Sequence, residues 1–153
     1  MKNRKLENQR DILDVIQKCN VCYVSMVDQD NKPYLIPMNF GFIDNTILLH
    51  CSKTGKKIEI LKNRPDICVL FTTDHQLHWQ NEDVACSWSM KYRSVLAYGK
   101  VEFVNEISEK ESLLHQFMKN YSPKDFKLSK PSLEEVQVIK VAVDKMEGRA
   151  YGY

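Results

Sequence analysis

The chain has 153 residues, of which 43% are hydrophobic and 27% charged, with a formal net charge of +2; this is the make-up of an ordinary globular protein, expected to form one domain over residues 1–153. Bases interleaved with acids argue against a nucleic-acid footprint, and no apolar run approaches the roughly 20 residues of a membrane-spanning helix. The basic start MKNRKLENQRDILDVI lacks the apolar stretch of a signal peptide, and five cysteines, an odd number, fit reduced thiols, so the expected location is cytoplasmic.

RDILDVIQKC places Ile12, Val15, Ile16 and Cys19 at i, i+3, i+4 and i+7, which predicts an amphipathic helix. VCYVSMV and PYLIPMNFGF flank the turn formers of DQDNK and read as a hairpin, and TILLHC follows after the turn at Asp44-Asn45. Three consecutive antiparallel strands joined by short connections are therefore expected. LLHCSKTGKKIEILKNRP then passes from strand, through Thr54-Gly55, into a helix from about Lys56 to Asn63 that packs Ile58 and Leu61 and ends before Pro65.

DICVLFT and RSVLAYGKVEFV are further strands, the second carrying Val95, Ala97, Gly99, Val101 and Phe103 on one side. Between them, TDHQLHWQNEDVACSWSMKY is polar and aromatic, of a length that suits a lid, an interface segment or a plain loop. Ser108 and Glu111 form a capping box in SEKE, ahead of a stripe of Leu114, Phe117, Met118 and Tyr121 that reads as core. YSPKDFKLSKPS is expected to be loop, and VQVIKVAV the last strand before the tail DKMEGRAYGY. About six antiparallel strands with flanking helices predict an α+β fold around a small barrel, which also removes exposed strand edges.

Two patterns bear on chemistry. Lys56 and Lys57 fall in the first turn of a helix, where the dipole favours acids; lysines become favourable there when an anion sits among the free N–H groups. The alternative is a solvated basic turn. Cys19 and Cys22 make a C-x-x-C, but it follows a helix and runs into a strand, the reverse of the thioredoxin order. A zinc site would need a second pair, and His75 with His78 lie far beyond the roughly 12–15 residues of a finger, so no metal site is expected and the two thiols read as small apolar residues.

Taken together and in this order, PYLIPMNFGF, ILLHCSKTGKKIEILKNRP and YRSVLAYGKVEFV resemble the FMN-binding split-barrel flavoproteins related to pyridoxamine 5′-phosphate oxidase, and most closely the subgroup named for nitroimidazole resistance, over roughly residues 10 to 143. The resemblance implies a split β-barrel, a homodimer with flavin sites between protomers, and FMN as cofactor. It implies that Lys56 and Lys57 hold the flavin phosphate, standing where the oxidases carry an Arg-Lys pair. It places the isoalloxazine along Pro37, Met38, Asn39 and Phe40, brings His50 and Cys51 to the flavin, makes Ser52 a hydroxyl donor, and puts Ser94 where the oxidases have a cofactor-contacting glutamine.

The implied function is an FMN-dependent oxidoreductase passing electrons to a small acceptor such as a nitroaromatic, with His50 as the proton donor or substrate-orienting group. The alternative is a non-catalytic binding protein for FMN, haem or another anionic ligand. The oxidases end with a tryptophan and an arginine–histidine pair, whereas this chain ends EGRAYGY, leaving Arg149 as a candidate partner contact and arguing against vitamin B6 oxidation. No Gly-x-Gly-x-x-Gly occurs among five glycines, so NAD(P)H as donor would stack on the flavin without a nicotinamide domain of its own.

Overall fold

The computed structural model describes residues 2–153. In chain order the elements are β1 (Asn3–Leu6), α1 (Gln9–Gln17), β2 (Cys22–Val27), β3 (Pro33–Met38), β4 (Gly41–Ile43), β5 (Thr46–Ser52), α2 (Lys56–Asn63), β6 (Asp66–His78), β7 (Ser89–Val104), α3 (Ile107–Met118), α4 (Lys130–Glu135) and β8 (Val136–Tyr151). All pairings are antiparallel, in the order β3-β2-β6-β7-β8-β5-β4, and β1 pairs with the end of β8. Among the described residues no helix is long and apolar enough to cross a membrane.

The sheet is a split barrel, and its strands alternate because one face is sealed and the other is not. In β2, Cys22, Val24 and Met26 are buried while Tyr23 and Val27 are exposed. The inward residues of β6 and β7, Ile67, Val69, Phe71, Val95, Ala97 and Val101, join them in one core. Helix α1 lays Ile12, Val15 and Ile16 on this core, with Asn8 capping its start by accepting from the Arg10 N–H at 2.9 Å. The expected helix 56–63 is present as α2, and Arg64, ahead of Pro65, leaves helical geometry as its C-cap.

Several expectations need correction. PYLIPMNFGF is not one strand: the chain breaks at Asn39-Phe40, because the Phe40 ring turns inward against Phe71, 4.8 Å between centroids, and its N–H donates to the Tyr121 hydroxyl at 2.7 Å instead of to a strand. The Tyr121 hydroxyl in turn donates to the Asn20 carbonyl at 3.0 Å. Consequently β2, β3 and β5 do not form a three-stranded meander. Strand β3 pairs with β2 at one end of the sheet path, β5 lies between β8 and the terminal β4 at the other, and β3 and β5 do not pair with each other.

The last strand runs on from Val136 to Tyr151, so the expected tail is strand; its far half pairs with β7 and β1. Half of the polar aromatic segment is also strand, since β6 and β7 continue their pairing to His78↔Ser89 and leave residues 79–88 as the hairpin tip. Helix α3 is capped by Glu106, which accepts from the Glu109 N–H at 2.8 Å and from the Ser108 hydroxyl; Ser108 is inside the helix. The Phe117 of its expected stripe is core, but Tyr121 lies beyond the helix and is exposed.

Close packing of strands fixes one glycine. A Cβ on Gly99 would stand 2.2 Å from the Ala142 carbonyl oxygen, where the β7–β8 register shifts next to Tyr98, so only glycine lets the two strands approach there.

Candidate functional site

Where β3 and β5 fail to pair, the barrel opens into a groove of about 680 Å³. Four elements build it. The end of β3 contributes Pro37, Met38 and Asn39; the end of β5 contributes His50, Cys51 and Ser52; α2 contributes Lys57; and the α4–β8 junction contributes Ser132, Glu135 and Val136. Strand β5 carries its residues there by a strict register with β8, His50↔Val138 and Ser52↔Val136.

Helix α2 begins at Gly55, whose φ of 114° is open to glycine and strained for other residues, and no side chain caps it. Its first N–H groups are therefore free to meet an anion, with Lys57 beside them. Lys56 behaves differently from its neighbour. Its ammonium lies over the Tyr34 ring, 4.8 Å from the centroid, so it ties α2 to β3 across the opening while Lys57 faces the groove.

His50 is half-buried, its ring edge-on to Phe117 with centroids 4.8 Å apart, and no described residue hydrogen-bonds to the imidazole. Burial, helped by the Lys57 ammonium, lowers its pKa, so the ring is neutral at neutral pH. Burial raises the Cys51 thiol, against a smaller opposing pull from Lys57. His50 and Cys51 are thus held in their neutral forms beside the Lys57 ammonium, and Glu135 stands on the groove wall with them.

Of the ten residues expected at the cofactor, seven line this one groove: Pro37, Met38, Asn39, His50, Cys51, Ser52 and Lys57. Phe40 is fully buried behind it, and Lys56 is turned to Tyr34. Ser94 is not brought there within the chain. It pairs with Thr72 and Arg149 at the other end of β7 and β8, on the outer face of the sheet.

Sequence reasoning missed the α4 side altogether, because YSPKDFKLSKPS was read as loop up to Ser132 and the three residues after it were assigned to no element. The signal was there: Ser129 caps α4 by accepting from the Ser132 N–H at 3.3 Å, and a proline opens the first turn. No pattern announced Lys110, which is buried and donates to the Leu133 and Val136 carbonyls at 3.2 and 2.8 Å, fastening α3 to the α4–β8 junction. Desolvation, with the nearby Lys53 charge, lowers its pKa.

The C-x-x-C holds two buried thiols: Cys19 donates to the Val15 carbonyl at 3.2 Å, and burial pushes the Cys22 thiol up to about 12. Among the described residues no group of three or more His, Cys, Asp and Glu stands together to hold a metal.

The family model for pyridoxamine 5′-phosphate oxidase matches residues 8–150. A crystal structure of a protein from Bacteroides thetaiotaomicron VPI-5482, named for 5-nitroimidazole antibiotic resistance, is 36% identical, covers 97% of this chain and 87% of its own, and superposes with a TM-score of 0.88. Two more distant structures share the fold. The flavocytochrome Anf3 from Azotobacter vinelandii is 17% identical over 99% of this chain and 70% of its own, with a TM-score of 0.83. The FAD and heme binding protein from Mycobacterium smegmatis is 16% identical over 97% and 74%, with a TM-score of 0.80. No curated protein matches the chain. With the family model running from α1 to the end of β8 and the same barrel recurring at 36% identity, the chain belongs to the pyridoxamine 5′-phosphate oxidase family.

Proposed function

We propose that the groove between β3 and β5 binds FMN and that the protein is a flavin-dependent oxidoreductase passing electrons to a small acceptor, a nitroaromatic compound being the first candidate. The observation that carries this reading is the groove itself: free N–H groups of α2 and the Lys57 ammonium at one end, and the apolar and polar edge of Pro37 to Asn39 along the side. These residues fit a phosphorylated, planar cofactor. The nitroaromatic acceptor follows from the likeness to the protein named for 5-nitroimidazole resistance.

In this reading Lys57 and the α2 amides hold the phosphate, each charge-assisted bond contributing roughly 1.5–3 kcal/mol. Lys56, held on Tyr34, keeps α2 against β3. A bound flavin supplies electron transfer between a reduced donor such as NAD(P)H and the acceptor. The neutral His50, oriented by Phe117, donates a hydrogen bond or hands on a proton at an imidazole nitrogen.

Assembly belongs to the same proposal. Residues paired across the sheet share a face, and the pairs Tyr23↔Pro37, Tyr23↔Leu70 and Leu70↔Leu96 extend an apolar outer surface from β3 to β7. Leu35 on this surface is 62% exposed. A homodimer formed there covers it, and Ser94, on the same outer face, then reaches the other protomer's site.

Binding without turnover is the competing reading, since the fold is shared with a protein named for FAD and heme binding. The absorption spectrum of the purified protein, followed by NAD(P)H consumption with and without a 5-nitroimidazole, separates the two. Stoichiometric flavin with acceptor-dependent oxidation supports the enzyme; bound ligand with no oxidation assigns the binding protein.

A further inference from the structure

Beyond the point where its register shifts, between Thr73 and Gln76, the β6–β7 hairpin is an arm of exposed apolar residues: Leu77, Trp79, Val84, Trp88 and Met90. Leu77 is 53% exposed. The arm is fixed at root and tip. At the root Asp74 takes a φ of 57°, its carboxylate accepts from Arg93 at 2.5 Å, and its carbonyl accepts from the Tyr153 hydroxyl at 2.6 Å. At the tip the two indoles stack with centroids 4.3 Å apart, and Trp88 Nε1 donates to the Glu82 carbonyl at 3.0 Å. Large aromatic groups ordered before contact lose little entropy on docking, which is what an interface anchor requires.

Register decides which face these residues use. Strand β7 alternates, so Met90, Tyr92, Ser94, Leu96 and Tyr98 share the outer face, and Leu77, paired with Met90, joins them. At the other end of the same face lies a hollow of about 330 Å³, lined there by Ser25, Val27, Cys68 and Tyr98. Cys68 and Leu77 stand near opposite ends of β6, roughly 30 Å apart at the rise of a strand, so an arm cannot fill the hollow of its own chain. A two-fold axis crossing the strands midway between them, near Thr72 and Ser94, carries each tip to the hollow of a second copy. Arm and hollow at opposite ends of one face make that face self-complementary.

We infer that the β6–β7 arm is an exchanged clasp: Leu77, Met90 and the Trp79–Trp88 stack of one copy cover the outer face of a second copy around Ser25, Val27, Cys68 and Tyr98, and the second copy's arm does the same in return. The inference rests on the homodimer proposed above and names the contact that closes it.

Cys86, an exposed thiol at the tip, carries the probe. A benzophenone maleimide attached there is irradiated in a mixture of ordinary and heavy-nitrogen protein, and mass spectrometry then separates links within one chain from links between copies. Links between copies to residues 25–27, residues 66–68 and Tyr98 are expected. Links confined to one chain, or links between copies that fall on the groove segment 37–52, overturn the exchange. Because a label of that size can displace the tip, Leu77→Glu supplies a second measurement on unlabelled protein. Its dimer dissociation constant, by analytical ultracentrifugation, is expected to rise at least ten-fold with an unchanged melting temperature. An unchanged constant overturns the exchange and keeps the homodimer. Unaltered protein that sediments as a monomer overturns both.

Discussion

At the scale of single residues, the groove turns on Lys57 and His50. Lys57 is the ammonium that faces the groove, whereas Lys56 is engaged with Tyr34, so the two lysines of one dipeptide should not be equivalent. Replacing Lys57 by alanine is expected to weaken FMN at least ten-fold, about 1.4 kcal/mol, and riboflavin much less; isothermal titration with both ligands reads the difference. Equal losses for the two flavins would remove the phosphate role. For His50 the lowered pKa has a consequence for stability. The unfolded chain takes up a proton near 6.5, while the folded protein resists until lower pH. Stability from this residue is therefore fully present above pH 6.5 and is lost as the pH falls from there through the folded pKa. Urea midpoints measured between pH 7.5 and 5 should fall more for the unaltered protein than for His50→Gln. In turnover with a nitroaromatic acceptor, His50→Ala is expected to lose roughly 10²–10⁴-fold while still binding FMN, and unchanged turnover per bound flavin would eliminate it as the proton-handling group.

At the scale of elements, the sequence declared those that follow from local periodicity and hid those that depend on distant partners. Ile12, Val15, Ile16 and Cys19 announced α1, and Gly55 with Pro65 bracketed α2, because helical spacing and end signals are written into a few consecutive residues. The break at Asn39-Phe40 was not legible, since it is enforced by Tyr121, 81 residues away, accepting the Phe40 N–H. The pairing of β5 with β8 was hidden for the same reason: alternation shows which face of a strand is buried and not which strand lies beside it. Seven groove residues were nonetheless found, because they sit at the ends of two legible strands and the start of a legible helix. The α4 side was lost with its helix. Two substitutions probe the hidden partners. Tyr121→Phe leaves the Phe40 N–H and the Asn20 carbonyl without their hydroxyl and should cost about 1–3 kcal/mol in urea unfolding. Gly99→Ala forces β7 and β8 apart at Ala142 and should cost about 3 kcal/mol by the same measurement.

At the scale of the whole molecule, the groove and the outer sheet face pose one question. Seven of the expected cofactor residues meet in the groove, and Ser94 stands outside it on the surface that also carries Tyr23, Leu35, Leu70 and Leu96. A monomer leaves that apolar surface in water and Ser94 without a cofactor; a dimer formed through it resolves both. The protein is therefore expected to be a homodimer by light scattering. Leu35 is the residue on which to test it, because it is 62% exposed on edge strand β3 and contributes little to the core, so Leu35→Arg should fold with a nearly unchanged melting temperature. A buried, unpaired guanidinium at each of two symmetry-related positions opposes association, and the variant should run as a monomer. If the sites are shared, FMN affinity falls with the dimer, by about ten-fold or more, even though Leu35 is not among the groove-lining residues. A monomeric Leu35→Arg protein that keeps full FMN affinity would show that each groove is complete within its own chain, and Ser94 would then have no part in the site.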